Sequence, residues 1–134
     1  MARKYLNDIG IDDTVIGIKP DDKRWEVWNC ETEKYGFASY ETWNLDTSFY
    51  AWLYERLCCF LEVAIIDFDT KIESNMFEYN GDKYTLRELI DKMLHGCEIA
   101  LKADGFYIGL SKEDQEVIEE VVWIWATVMP AMWW

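Results

Sequence analysis

From Leu45 to Phe68, apolar side chains recur at three- and four-residue spacings on nearly every side of a helix, and no other stretch constrains the fold so tightly. One row runs Phe49, Trp52, Leu53, Leu57, Phe60, Ala64, Ile65 and Phe68; a second runs Tyr54, Cys58, Leu61 and Ile65. The polar stripe is narrow, with Glu55, Glu62 and Asp69 recurring every seven residues. A helix apolar on most sides is buried on most sides, so the pattern predicts a central helix packed by others. Asn44 or Asp46 can cap its start.

Two further helices carry clear start signals. Thr85-Leu86-Arg87-Glu88 is a capping box, followed by a core row of Leu86, Leu89, Ile90, Met93, Leu94, Cys97 and Leu101. Glu88 with Lys92 and Glu98 with Lys102 stand four apart, acid first, and Asp104-Gly105 is the expected stop. Ser111 caps the third helix, whose core row is Val117, Val121, Ile124 and Val128, widened by Ile118, Val122 and Trp125, with Pro130 at its end. Asn80-Gly81 between aromatic segments predicts a hairpin over 76–84, since both positions tolerate positive φ. Upstream, Trp25, Val27 and Asn29 alternate as on a strand, and Tyr35-Gly36-Phe37 offers a returning partner. The expectation is one α+β domain over 1–134, mostly α. It has a small N-terminal β element in 1–38, and a helical core over 45–129 whose central buried helix is packed by two more.

Composition supports a real core: 51% of residues are hydrophobic and 16% aromatic. Thirteen basic residues against 26 acidic leave a net charge of −13. Such a field repels phosphate backbones and anionic membranes and favours a basic protein partner, besides keeping a small protein dispersed. No apolar stretch follows Met1-Ala2-Arg3-Lys4, so no secretory signal is expected, and Cys30, Cys58, Cys59 and Cys97 read as reduced thiols. The apolar tail from Val121 is too short to span a bilayer.

Chemistry-bearing motifs are sparse. His95 and Cys97 lie two apart on a helix and diverge, as do the adjacent Cys58 and Cys59, so no metal or cofactor site is expected. A single histidine leaves little room for nucleophilic catalysis, and no phosphate-cradling glycine loop occurs. Asp67 and Asp69 are the carboxylates in the most apolar surroundings, but acids where a chain turns outward need no catalytic role. No catalytic residue is assigned, and the chain is not expected to be an enzyme.

The constellation that stands out is the acidic third helix. Glu113, Asp114, Glu116, Glu119 and Glu120 crowd into eight residues, and like charges four apart weaken a helix by a few tenths of a kcal/mol per pair. Trp123 shares their stripe, with Trp133 and Trp134 beyond, so these eight residues are the candidate partner-binding set: aromatic anchors beside an acid rim. The tryptophans can equally fold back into the core or self-associate, which leaves a homodimer open.

Gly36-Phe37, Trp43-Asn44-Leu45-Asp46, Leu53-Tyr54-Glu55-Arg56-Leu57 and Leu89-Ile90-Asp91-Lys92-Met93, with the aromatic tail, form a pattern over roughly residues 36–134. It resembles a group of small uncharacterised proteins encoded by tailed phages and prophages. The chain departs from them in its Asn80-Gly81 hairpin, its paired cysteines and its heavier acidity. The resemblance implies phage origin and a host-cytoplasmic setting, and carries no catalytic residues. The expected function is an acidic inhibitor of a host or defence protein, of anti-CRISPR or anti-restriction type, covering a basic nucleic-acid-binding surface without binding nucleic acid itself. The alternatives are a sponge for a nucleotide signal, using Trp25, Trp28 or Tyr84 if Arg24, Arg56 or Arg87 converge, and a phage structural or assembly factor.

Overall fold

A computed structural model describes residues 3–11, 19, 21–103 and 109–133. In chain order the elements are α1 (Lys4–Asp8), α2 (Trp25–Tyr35), α3 (Leu45–Val63), β1 (Phe77–Tyr79), β2 (Asp82–Tyr84), α4 (Leu86–Lys102) and α5 (Lys112–Val128). Short 3₁₀ turns lie at Ser39–Thr42, Glu73–Asn75 and Met129–Ala131. The fold is α+β and mostly α.

The capping box forms as its residue types require. Thr85 Oγ1 accepts from the Glu88 amide at 3.2 Å, and Glu88 Oε1 accepts from the Thr85 amide at 3.1 Å. Those hydrogen bonds hold the Glu88 carboxyl below the usual carboxylate range. Glu88 is thereby occupied, and Lys92 instead lies over the Tyr84 ring, 5.4 Å from its centroid. Glu98 and Lys102 do pair, at 2.7 Å. The expected stop at Asp104-Gly105 lies outside the described residues.

α4, not the 45–68 segment, is the central helix. It packs against both α3 and α5 and buries Leu86, Leu89, Ile90, Met93, Cys97, Ala100 and Leu101. Gly96 sets the α4–α5 approach: a Cβ there would collide with Val121 Cγ2 and lie 2.8 Å from the Val117 carbonyl oxygen. α3 flanks this pair and buries Tyr50, Ala51, Leu53, Tyr54 and Leu57, while Leu45, Trp52 and Val63 stay exposed. It also ends at Val63, five residues early. The chain turns there so that Phe68 folds back on Phe60, ring centroids 5.6 Å apart, and the Phe68 carbonyl accepts from the Arg87 amide at 2.9 Å. α1 closes the bundle, with Leu6 fully buried and Arg3 and Lys4 paired to Glu55 and Glu62 of α3 at 3.2 and 3.0 Å.

The hairpin forms with Phe77 opposite Tyr84 and Tyr79 opposite Asp82. Its tip places Asn80 at φ 49° and Gly81 at φ 82°, the two positive angles that the Asn-Gly pair supplies at little cost. It is the only sheet among the described residues.

The N-terminal β element is corrected by α2. Residues 25–35 are helical because the end signals outweigh the β preference of Trp25 and Val27: Glu26 lies in the first turn and Lys34 in the last. Gly36 is not a hairpin residue but the left-handed terminator, at φ 83°, its amide donating to the Thr32 carbonyl at 2.9 Å. Val15 to Ile18, the other apolar stretch of 1–38, lies outside the described residues. α2 makes its own small core, with Trp28 and Ala38 buried and Trp25 and Tyr40 packed on them. The rings meet edge to face: Trp28 lies 5.4 Å from Trp25, 5.1 Å from Tyr40 and 5.8 Å from Trp43. The Arg24 guanidinium sits 4.9 Å from the centroids of both Trp28 and Trp43, gripped by Asp22 at 2.9 and 3.0 Å.

Candidate functional site, an acidic groove beside the hairpin

α5 begins on Ser111, whose Oγ accepts from the Asp114 amide at 3.1 Å. Glu113 and Asp114 fill its first turn, where the helix dipole favours acid. The crowded acids therefore divide. Two stabilise the helix start, and the other three run on along one side.

Those three line a groove. Ile118, Val121, Ile124 and Val128 turn α5 onto the core, which leaves Glu116, Glu119, Glu120 and Trp123 on its outer and hairpin-facing side. Tyr79, Asn80 and Thr127 complete an open groove of about 440 Å³. Lys112 stands 3.9 Å from Glu116, a weak surface pair. Trp123 is 67% exposed, a large apolar side chain held in water beside three carboxylates. Tyr79 is half-buried, and burial first, then the neighbouring Glu120 carboxylate, raises its phenol above the ordinary value. Its phenol therefore stays protonated at neutral pH beside the Glu120 carboxylate.

Of the eight residues singled out from sequence, the groove thus gathers Glu116, Glu119, Glu120 and Trp123. Glu113 and Asp114 lie at the helix start. Trp133 is 76% exposed beyond the last 3₁₀ turn and does not line the groove. Trp134 lies outside the described residues. Thr127 follows Trp123 by four residues on the same side of α5, whereas nothing local in the Asn-Gly turn says that Tyr79 and Asn80 lie against α5.

The other candidates disperse. Asp67 and Asp69 are exposed in the loop after α3, where Asp67 Oδ1 accepts from the Asp69 amide at 3.0 Å and closes a turn. His95 is exposed while Cys97 is buried, and burial pushes the Cys97 thiol up to about 12. Among the described residues no group of three or more His, Cys, Asp or Glu side chains gathers to hold a metal ion. The three arginines that a phosphate ligand would need lie on separate elements: Arg24 grips Asp22, Arg56 lies over Trp52, and Arg87 reaches Asp91 at 3.4 Å. Among the described residues no helix is long and apolar enough to cross a membrane.

No protein-family profile, curated protein or solved structure matches this chain. The residues themselves define the class: a small acidic α+β domain presenting carboxylates and an exposed tryptophan from one helix face.

Proposed function

We propose that the chain is an acidic binding protein that inhibits a host or defence protein by covering a basic, nucleic-acid-binding surface, and that the α5–hairpin groove is its contact face. One observation carries the reading: exposed Glu116 and Glu119 and half-buried Glu120 line one groove beside an exposed Trp123, on a chain of net charge −13. Carboxylates offered in a row can occupy the cations that otherwise hold phosphates, and a desolvated indole beside them supplies the anchor that charge alone lacks. The resemblance to small acidic phage proteins points the same way by association. The nucleotide-sponge reading is weaker, because the acidic groove repels phosphate and the arginines do not converge.

The test is affinity capture of the tagged chain from host lysate at low and at high salt, with identification of what is retained. A nucleic-acid-binding partner that dissociates as salt rises supports the reading. Retention of virion proteins alone, or of a bound small molecule with no protein partner, contradicts it.

A further inference from the structure

The outer face of α3 raises a question that the acidic groove does not answer. Positions 45, 49, 52, 56, 59 and 63 step alternately by four and three residues, the 3.5-residue repeat of a coiled-coil seam. They hold Leu45, Phe49, Trp52, Arg56, Cys59 and Val63. Inward-facing Leu53 and Leu57 already satisfy the core, yet Leu45 is 67% exposed, Val63 44% and Trp52 43%. Apolar surface continues sideways: the Trp52 ring meets Trp125 edge-on at 6.4 Å, and Val122 and Met129 beside it are exposed. Several large apolar side chains exposed on one helix face, and joined through Trp52 to the flank of α5, mark an interaction surface.

The charges indicate what covers it. No seam position holds an acid: Glu55 and Glu62 on the neighbouring flank of α3 are paired to Arg3 and Lys4, and the one charge within the seam is Arg56. The seam is thus a strip without carboxylates on a chain whose net charge of −13 otherwise repels its own copies. The order of residues is also self-complementary. Laid antiparallel on itself about Tyr54, the seam sets Leu45 against Val63, Phe49 against Cys59, and Trp52 against Arg56. The last pairing repeats across the interface the contact already made within the chain, where Arg56 lies 4.9 Å from the Trp52 centroid. A parallel arrangement would instead set Arg56 against Arg56.

We infer that α3 docks antiparallel on α3 of a second copy through this seam, giving a two-fold homodimer. Such an interface is isologous, each seam residue meeting its counterpart twice. The inference rests on the α3 seam and does not depend on the function proposed for the acidic groove.

Sedimentation equilibrium tests the dimer. The wild-type chain is expected at twice its 16.0 kDa mass, and the L45E/V63E variant at 16.0 kDa with an unchanged far-UV circular dichroism spectrum. The register is tested by oxidising an L45C/V63C variant in which the exposed Cys30 and Cys59 are replaced by serine. Positions 45 and 63 lie about 27 Å apart along one helix, too far for a bond within a chain, so a disulfide from position 45 of one copy to position 63 of the other is expected. A monomeric wild type overturns the inference, as does a dimer that L45E/V63E leaves intact. Disulfides joining position 45 to position 45, and position 63 to position 63, would establish the parallel arrangement and overturn the antiparallel one.

Discussion

The main core and the α2 unit are built by different chemistry. The first is aliphatic: Leu53, Leu57, Leu89, Ile90, Met93, Val121 and Ile124 are almost wholly removed from water between three helices and α1. The second is a knot of rings around Arg24, with Trp28 the one large residue enclosed and Val27, Tyr35, Phe37 and Trp43 left exposed. Aliphatic burial gains stability in proportion to area and spreads over the whole bundle. A few edge-to-face rings and one ion-paired cation hold a short segment locally. The bundle is therefore expected to unfold as one unit, and the α2 unit to open by itself at lower cost.

Substitutions sharpen that contrast, largest effects first. Leu89→Ala should cost about 2–5 kcal/mol of global stability, read as a shift of the urea midpoint. Trp28→Ala should abolish the near-UV tryptophan signal of the ring cluster while leaving the midpoint of the far-UV transition in place. A joint collapse of both signals would show that the two regions are one cooperative unit.

Gly96→Ala acts at the α4–α5 crossing. Overpacking of about 1–3 kcal/mol is opposed by roughly 1 kcal/mol of helix propensity, so a net loss is expected in thermal melting. A gain would mean that Val121 and the Val117 carbonyl have room to move.

The two regions should also respond to opposite ends of the pH scale. Hydrogen bonds from Arg24 hold the Asp22 carboxyl down at about 2. The folded value lies below the ordinary 3.8, so the contribution is present at neutral pH and is lost as pH falls toward 2. In the core, burial pushes Cys97 and Tyr54 up to about 12. Those contributions are whole below the ordinary values of 9.0 and 10.0 and disappear as pH rises toward 12. Near-UV circular dichroism should show an acid limb that Asp22→Asn removes, and far-UV dichroism an alkaline limb that it leaves alone. Smallest of all, Glu116→Lys should change stability by no more than about 0.5 kcal/mol, because the side chain is exposed and makes only a long pair with Lys112.

The contrast also marks what the sequence could reveal. Caps at Thr85 and Ser111 and the Asn80-Gly81 turn were legible because each is a local device acting within four residues. α2 reads as a strand because its Trp-Val alternation imitates one, although Glu26, Lys34 and Gly36 carry the helix-end signature. The rank of the helices was illegible for another reason. α3 is apolar all round, but what places a helix in the middle is having neighbours on two sides, and Gly96 gives α4 that close approach to α5. Of the groove, Glu116, Glu119, Glu120 and Trp123 could be read from one helical stripe. Tyr79 and Asn80 could not, since they arrive by tertiary contact.

The most direct test of the acidic groove is competition. Once a nucleic-acid-binding partner is in hand, duplex DNA is titrated against its complex with the wild-type chain and with the E116K/E120K variant. Occupation of the basic surface predicts that DNA displaces the wild-type chain, that affinity falls steeply with salt, and that the variant no longer binds. A partner that holds the chain and DNA together, or that binds E116K/E120K as tightly as wild type, contradicts it.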